Sequence, residues 1–249
     1  MMFTAQGLTL HFGGVNALDD VSVSVSQGEL VGLIGPNGAG KTTLLNAISG
    51  LHRPQSGTIE FDGRAITGLP PYKIAKLGIA RTFQVVRPFA TLTVRENVAV
   101  GAMFSGERTL GHADALARAD KALEQVRLSA KAENLPSHLT LSERKRLELA
   151  RAMAMRPKLL LLDEVAAGLN QTEIGSMIEL VRSLNQAGQT IIMVEHVMKA
   201  ILSLCQRIVV LQFGKKIADG APQAIVSDPH VVKAYLGERF AKRHALAAG

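Results

Sequence analysis

The 249-residue sequence has one cysteine, few aromatic residues and no apolar run long enough to cross a bilayer. A lone cysteine cannot staple a fold, and Cys205 sits in an apolar stretch, which predicts a buried core thiol rather than a nucleophile. A spanning helix needs roughly 18 consecutive apolar residues. The start, MMFTAQGLTLHF, lacks a charged region followed by an apolar one, so a secretory signal is not expected and the cytoplasm is. With aromatics at 4%, a stacking platform for single-stranded nucleic acid is poorly supplied. There is no long basic block either. The net charge of +7 is spread along the chain, with small clusters at Arg144-Lys145-Arg146 and Lys242-Arg243. Such a surface suits nucleic acid, anionic lipid or phosphate ligands equally, and charge alone does not choose among them.

What is present is ordinary globular composition, 47% hydrophobic and 20% charged, in a chain long enough to bury a sizeable core. Residues 3 to 34 read as strands. Val21, Val23 and Val25 alternate with serines, as on a half-exposed strand, and Leu30 to Ile34 is a short apolar run fit for burial. A glycine-rich turn leads to a helix from Lys41 to Ser49. Thr58 to Phe61 before Asp62-Gly63 predicts a strand and tight turn. From Val94 to Met155 the pattern is helical, with Gly106 and Gly111 marking loops. Leu159 to Leu162, Thr190 to Val194 and Ile208 to Gln212 are further apolar strands, with helix from Thr172 to Gln186. Alternating strand and helix implies an α/β fold with a largely parallel sheet, into which the helical stretch is inserted.

Gly35-Pro36-Asn37-Gly38-Ala39-Gly40-Lys41-Thr42 matches the phosphate-loop pattern G-x-x-x-x-G-K-[ST], between a buried strand and a helix. Gly38 and Gly40 permit a turn tight enough for several N–H groups to point at one phosphate chain. The helix N-terminus adds positive potential. Lys41 can neutralise β- and γ-oxygens, and Thr42 can ligate Mg²⁺; Thr43 extends the ATP-binding set. Leu159-Leu160-Leu161-Leu162-Asp163-Glu164 supplies the second anchor. A buried strand carries Asp163 to the sheet edge, where it can hold Mg²⁺ through water. Glu164, on the opposite side of the pleat, can act on an attacking water.

Further features narrow the field: Gln84 in RTFQ, Leu139-Thr140-Leu141-Ser142-Glu143 before an Arg- and Leu-rich helix, Ala167-Gly168-Leu169-Asn170 after the carboxylates, and His196 ending IIMVEH. In order and spacing the chain resembles the ATP-binding-cassette (ABC) transporter ATPases over nearly its whole length. The resemblance implies a P-loop NTPase core with an antiparallel β subdomain on the N-terminal side and an inserted helical subdomain. The single nucleotide-binding domain would comprise a core of residues 1–92 and 156–249 and an insert of 93–155. Phe12 would stack on adenine, although a Phe there serves equally as core. Gln84 would contact Mg²⁺ and the attacking water, Glu164 would be the general base, and His196 would touch the γ-phosphate. Thr140, Leu141, Ser142 and Glu143 would reach ATP held by a second ATP-binding subunit, and Asn170 would link the two sites.

The usual signature is Leu-Ser-Gly-Gly-Gln, and this sequence departs from it. Thr140 keeps the hydroxyl, Ser142 replaces the second glycine, and Glu143 adds negative charge near a phosphate, which is unhelpful unless it points away. Val165 stands where the family usually has proline, and Asn170 where it often has aspartate. Within the family, FGGVNALDDVS, RTFQ, the helical insert, AGLN and the ending GAPQAIVSDPHVVKAYLGE are closest to subunits of branched-chain amino acid importers. Lipopolysaccharide-export and urea or amide transporter subunits share much of this. An ABC ATPase acting on nucleic acid is a further class, disfavoured by the single phosphate loop and the absence of sustained heptads. The resemblance implies attachment to the inner membrane face through permease subunits, an extracytoplasmic solute-binding protein as indirect partner, and no direct nucleic-acid contact. Val85, Val86, Arg87 and Phe89 would line the groove for a membrane helix, or form an ordinary core-facing loop.

Overall fold

A computed structural model of the chain describes residues 1–84, 86–106 and 110–236. In chain order the strands are β1 (Phe3–Phe12), β2 (Val15–Val25), β3 (Leu30–Ile34), β4 (Ser56–Phe61), β5 (Arg64–Ala65), β6 (Ile79–Arg81), β7 (Leu159–Asp163), β8 (Thr190–Val194), β9 (Arg207–Gln212) and β10 (Lys215–Gly220). The principal helices are α1 (Lys41–Ile48), α2 (Pro71–Leu77), α3 (Val94–Met103), α4 (His112–Gln125), α5 (Leu141–Ala154), α6 (Gln171–Gln186) and α7 (Met198–Leu204). The chain forms two compact units, residues 1–69 with 192–249, and residues 70–191.

The first unit holds an antiparallel sheet of order β2-β1-β4-β5. The alternation read in β2 is real: Val21, Val23 and Val25 are buried and Ser22 and Ser24 half-buried. Their partners on β1 run antiparallel, Phe3 opposite Val25 and Ala5 opposite Val23. Asp62 and Gly63 both take positive φ, 51° and 71°, which is the two-residue turn that joins β4 to β5. In the same unit strands run in the order β10-β9-β3-β8. β3 and β9 are parallel, Val31 opposite Arg207 and Ile34 opposite Val210. All five residues of β3 are buried, so it is a continuous apolar run rather than an alternating one. Cys205 is buried as expected, its Sγ 2.8 Å from where a Cβ on Gly32 would lie, and desolvation pushes its thiol up to about 12.

The second unit pairs β6 with β7 in parallel, Ile79 opposite Leu159 and Arg81 opposite Leu161. Helices α3, α4 and α5 pack on one another. The contact face of α4 is small, with Ala115, Ala119 and Ala122 buried beside Leu123. α3 and α5 approach closely: a Cβ on Gly101 would stand 2.6 Å from the Arg151 carbonyl oxygen. A backbone atom cannot swing aside as a side chain can. Gly101→Ala is therefore expected to destabilise the chain by about 1–3 kcal/mol through overpacking, outweighing the roughly 1 kcal/mol that alanine gains over glycine inside a helix. Urea unfolding measures the balance; a midpoint equal to or above that of the parent would show that the helices part without cost.

Candidate nucleotide site

In the first unit, β3 feeds the glycine-rich loop. Gly35 (φ 148°) and Gly40 (φ 103°) lie against backbone: a Cβ would stand 2.1 Å from the Leu211 oxygen at Gly35 and 2.4 Å from the Ala17 oxygen at Gly40. Gly38 (φ 77°) has nothing within 4 Å of its missing Cβ. The loop is thus wedged against β2 and β9 at its ends and open in its middle. Ala39 is buried, with its N–H on the Pro36 carbonyl, while Asn37 and Gly38 are exposed. Lys41 is buried, and its Nζ donates to the Gly35 and Pro36 carbonyls at 2.7 and 2.9 Å. The ammonium is held over the loop rather than extended into solvent. Thr42 is exposed and Thr43 half-buried.

The N-terminus of α1 has no side-chain cap and no acid in its first turn. Three helices of the second unit are different. Each has a reciprocal capping box, Thr93 with Glu96 for α3, Thr140 with Glu143 for α5 and Asn170 with Glu173 for α6. These pairs were legible as S/T/N-x-x-E spacings ahead of helices. Where α3, α5 and α6 carry their own carboxylate, α1 opens on a lysine, which suits an external anion.

Phe12 ends β1 and is 48% exposed, edge-on to His52 with ring centroids 5.1 Å apart. It is not a core residue, which removes one of its two sequence readings. His196 is exposed two residues beyond β8, with its N–H on the Glu195 carboxylate at 3.2 Å.

In the second unit every residue of β7 is buried, and the strand ends on Asp163. The Asp163 N–H donates to the Thr82 hydroxyl, and Oδ2 accepts from Arg81 Nη2 at 2.7 Å. Oδ1 is buried and has no hydrogen-bond partner among the described residues. A buried carboxylate oxygen without a donor is costly, and an oxygen of this kind is what a hard cation or its bound water takes up; the position fits Mg²⁺. Glu164 does not continue the pleat as the sequence suggested. The strand has ended, and Glu164 is in the left-handed region at φ 52°, so a reversal of the chain sets its direction instead of strand alternation. Its Oε2 accepts from Gln84 Nε2 at 2.7 Å. The structure therefore brings Gln84 and Glu164 together directly.

Thr140 is the N-cap of α5. Its hydroxyl accepts from the Glu143 N–H, and Glu143 Oε2 accepts from the Thr140 N–H at 2.8 Å. The acid that looked misplaced in the signature is folded back onto the cap, with Lys131 Nζ at 3.8 Å. Leu141 is 47% exposed and Ser142 buried. Asn170 caps α6 in the same way. Of the expected groove residues, Val85 lies outside the described residues, as do Lys242 and Arg243 of the basic cluster and the last two residues of the GAPQAIVSDPHVVKAYLGE ending. Phe89 is 45% exposed under the Arg151 guanidinium, 5.2 Å from its ring centroid.

Sequence reasoning placed Lys145 in a basic surface cluster and missed Glu148; both are buried on α5. Glu148 accepts the Phe83 N–H at 2.6 Å, and burial holds its carboxyl above the ordinary carboxylate range. The available signal was two opposite charges three residues apart among leucines and alanines.

Residues 18–167 match the family model described as ABC transporter, and residues 215–241 match one described as branched-chain amino acid ATP-binding cassette transporter. The chain is 40% identical to the high-affinity branched-chain amino acid transport ATP-binding protein LivG of Salmonella typhimurium, over 95% of this chain and 98% of that one. It is likewise 40% identical to BraF of Pseudomonas aeruginosa, over 93% and 96%. Among solved structures it resembles the ADP conformation of MJ1267, an ATP-binding cassette of an ABC transporter, at 31% identity and a TM-score of 0.85, over 95% of this chain and 99% of that one. It also resembles the dimeric bacterial cassette MJ0796 at 26% identity and a TM-score of 0.79, over 89% and 99%. With a cradle opening on Lys41, the Asp163-Glu164 pair and a family match over more than half its length, the chain belongs to the ABC transporter ATPases.

Proposed function

We propose that this chain hydrolyses ATP to drive an importer of branched-chain amino acids, working as one of two ATP-binding subunits beneath membrane-spanning permease subunits. The match of residues 215–241 to a branched-chain amino acid cassette model carries the substrate class, because that segment lies outside the residues matched by the general family model. Among the described residues no helix is long and apolar enough to cross a membrane. Residues 1–92 and 156–249 serve as the ATP-binding core and 93–155 as the helical insert.

The roles follow from the chemistry of the groups. The cradle from Gly35 to Thr43 binds the phosphate chain through backbone N–H groups, and Lys41 exchanges its loop carbonyls for phosphate oxygens. Phe12, half-exposed at a strand end, stacks on the adenine. Thr42 and Asp163 hold Mg²⁺, with Gln84 beside them. When bound, Mg²⁺ supplies positive charge against the β- and γ-phosphate oxygens. Glu164 takes a proton from the attacking water, and the Gln84 amide holds that carboxylate while the γ-phosphate is absent. His196 orients the water. The first turn of α5, from Thr140 to Glu143, offers its N–H groups to ATP bound by the partner subunit, so ATP joins the two subunits and hydrolysis releases them. Val86, Arg87 and Phe89 receive a permease helix.

Two substitutions test this. Glu164→Gln removes the base and keeps the shape. Turnover is expected to fall by about 10²-fold or more, with ATP affinity retained and an ATP-bound dimer accumulating in size-exclusion chromatography. Unchanged turnover would overturn the base assignment. Lys41→Ala deletes a charge-assisted contact worth about 1.5–3 kcal/mol, so ATP affinity by titration calorimetry is expected to fall by about 10- to 100-fold. Equal affinity would count against the cradle.

A further inference from the structure

The N-terminal half of α5 has a task that the signature does not explain. Lys145 and Glu148 are 5% and 7% exposed, and neither residue type is normally buried without a partner. Lys145 Nζ donates to the backbone carbonyl of Glu164 at 2.8 Å and reaches that of Gln84 at 3.4 Å. One turn on, Glu148 accepts the Phe83 N–H, and another turn on, Arg151 Nη1 donates to the Arg87 carbonyl at 3.1 Å. Spaced by three, these side chains share one helix face, and each grips main chain. They hold the segment that carries Gln84, and Lys145 alone also holds Glu164.

Glu164 needs such a hold. It is a non-glycine residue at positive φ, a conformation that survives only where its surroundings enforce it. Its carbonyl accepts two donors, the Ala167 N–H at 3.2 Å, which closes the turn, and the Lys145 ammonium. The carbonyl of Gln84 lies within reach of the same ammonium, and the Gln84 and Glu164 side chains meet at 2.7 Å. A methionine would fill the space of the lysine stem without the cost of desolvating a charge. What it could not do is direct two carbonyls toward one point.

We propose that Lys145 is a positioning residue for hydrolysis: its buried ammonium ties the backbone of Glu164 and Gln84 to α5, the helix whose first turn is the signature. The proposal rests on the assignment of Glu164 and Gln84 to the attacking water. By this link, a carboxylate on a strained turn and an amide on a loop take their places from one rigid helix. Glu148 complements it by fixing the residue before Gln84. Its carboxyl faces Lys145, Arg151 and Asp163 as well as the Phe83 N–H, so the helix face is charge-balanced rather than uniformly cationic.

The test compares the full chain with Lys145→Met and Lys145→Arg. Hydrogen exchange of the Phe83 and Ala167 amides is expected to rise at least tenfold in Lys145→Met, while amides of β1 and β2 keep their protection. ATP affinity is expected to stay within twofold and kcat to fall about tenfold, with Lys145→Arg recovering at least half of the loss. Lys145→Gln, which keeps an N–H donor on a shorter stem, replaces the methionine variant if that one does not fold, with the same readings. Unchanged exchange at both amides overturns the proposal, as does a kcat within twofold of the parent. A parallel loss of ATP affinity and protection throughout the chain would show a general structural role and also overturn it. The exchange measurement does not depend on the identity of the base. Should Glu164→Gln leave turnover intact, the base reading fails while the tether is still judged by the Phe83 and Ala167 amides.

Discussion

The second unit depends on pairing an acidic side chain at the end of a wholly buried strand. Leu159 to Leu162 bury completely, so β7 reads as core, yet its next residue is Asp163 at 2% exposure. Its partner comes from the neighbouring strand: β6 runs parallel to β7, and its last residue, Arg81, puts a guanidinium 2.7 Å from Oδ2. The Asp163 N–H is spent on Thr82, in the same RTFQ segment. The end of β6 and the short segment after it therefore pair with the Asp163 side chain, bond its backbone and deliver Gln84 to Glu164. Removing one partner of a buried pair commonly costs about 3–5 kcal/mol, so the arrangement is structural as well as chemical. It leaves Oδ1 uncommitted, and that oxygen is the one available for a cation.

Helix ends divide the remaining work. A helix N-terminus exposes donors that must be satisfied by side chain, water or ligand. For α3, α5 and α6 the chain supplies the answer locally, with Glu96, Glu143 and Glu173 each folded back on a cap. For α1 it supplies none, and Gly40 takes a left-handed conformation that a side chain would obstruct. Because α2 and α7 also start without a cap or an acid, it is the glycine-rich loop and the Lys41 ammonium that mark the start of α1 as the end suited to an anion. Lys41 can be buried because its ammonium donates to two loop carbonyls, those of Gly35 and Pro36.

Much of this was legible in the residue order. The phosphate loop declared itself through spacing and flanks, and β3, β7, β8 and β9 through apolar runs whose ends fall within one residue of those observed, whereas β5, β6 and β10 were not read. The geometry of Glu164 was not legible, because the strand period predicts where a residue points only while the strand lasts, and β7 stops at Asp163. Phe12 was ambiguous for a different reason. An aromatic at a strand end is core or ligand-facing according to what covers it, and coverage is a tertiary property. Lys145 read as part of a basic surface cluster and Glu148 escaped notice, because charged residues on a helix normally signify a solvated face. Only the packing of Phe83, Gln84, Arg87 and Glu164 along α5 turns that face inward.

The altered signature follows from the same cap chemistry. Glycine is required where a backbone must take positive φ or make a close approach. Leu141 and Ser142 are instead the first residues of a regular helix, where any L-residue fits, so a missing glycine at either place costs the backbone nothing. Helix geometry leaves the N–H groups of Leu141 and Ser142 without intrahelical partners, while the Glu143 N–H is taken by Thr140. The donors needed for a phosphate are thus retained. What changes is the potential around them. A glutamate at the third position, where the usual motif has glutamine, places negative charge at the end of the helix that attracts anions. Because that carboxylate also accepts the Thr140 N–H and lies 3.8 Å from Lys131, part of its charge is offset before a phosphate arrives. The departure therefore trades electrostatic attraction for a firmer helix start, and its effect falls on the potential at the start of α5 rather than on whether the donors exist.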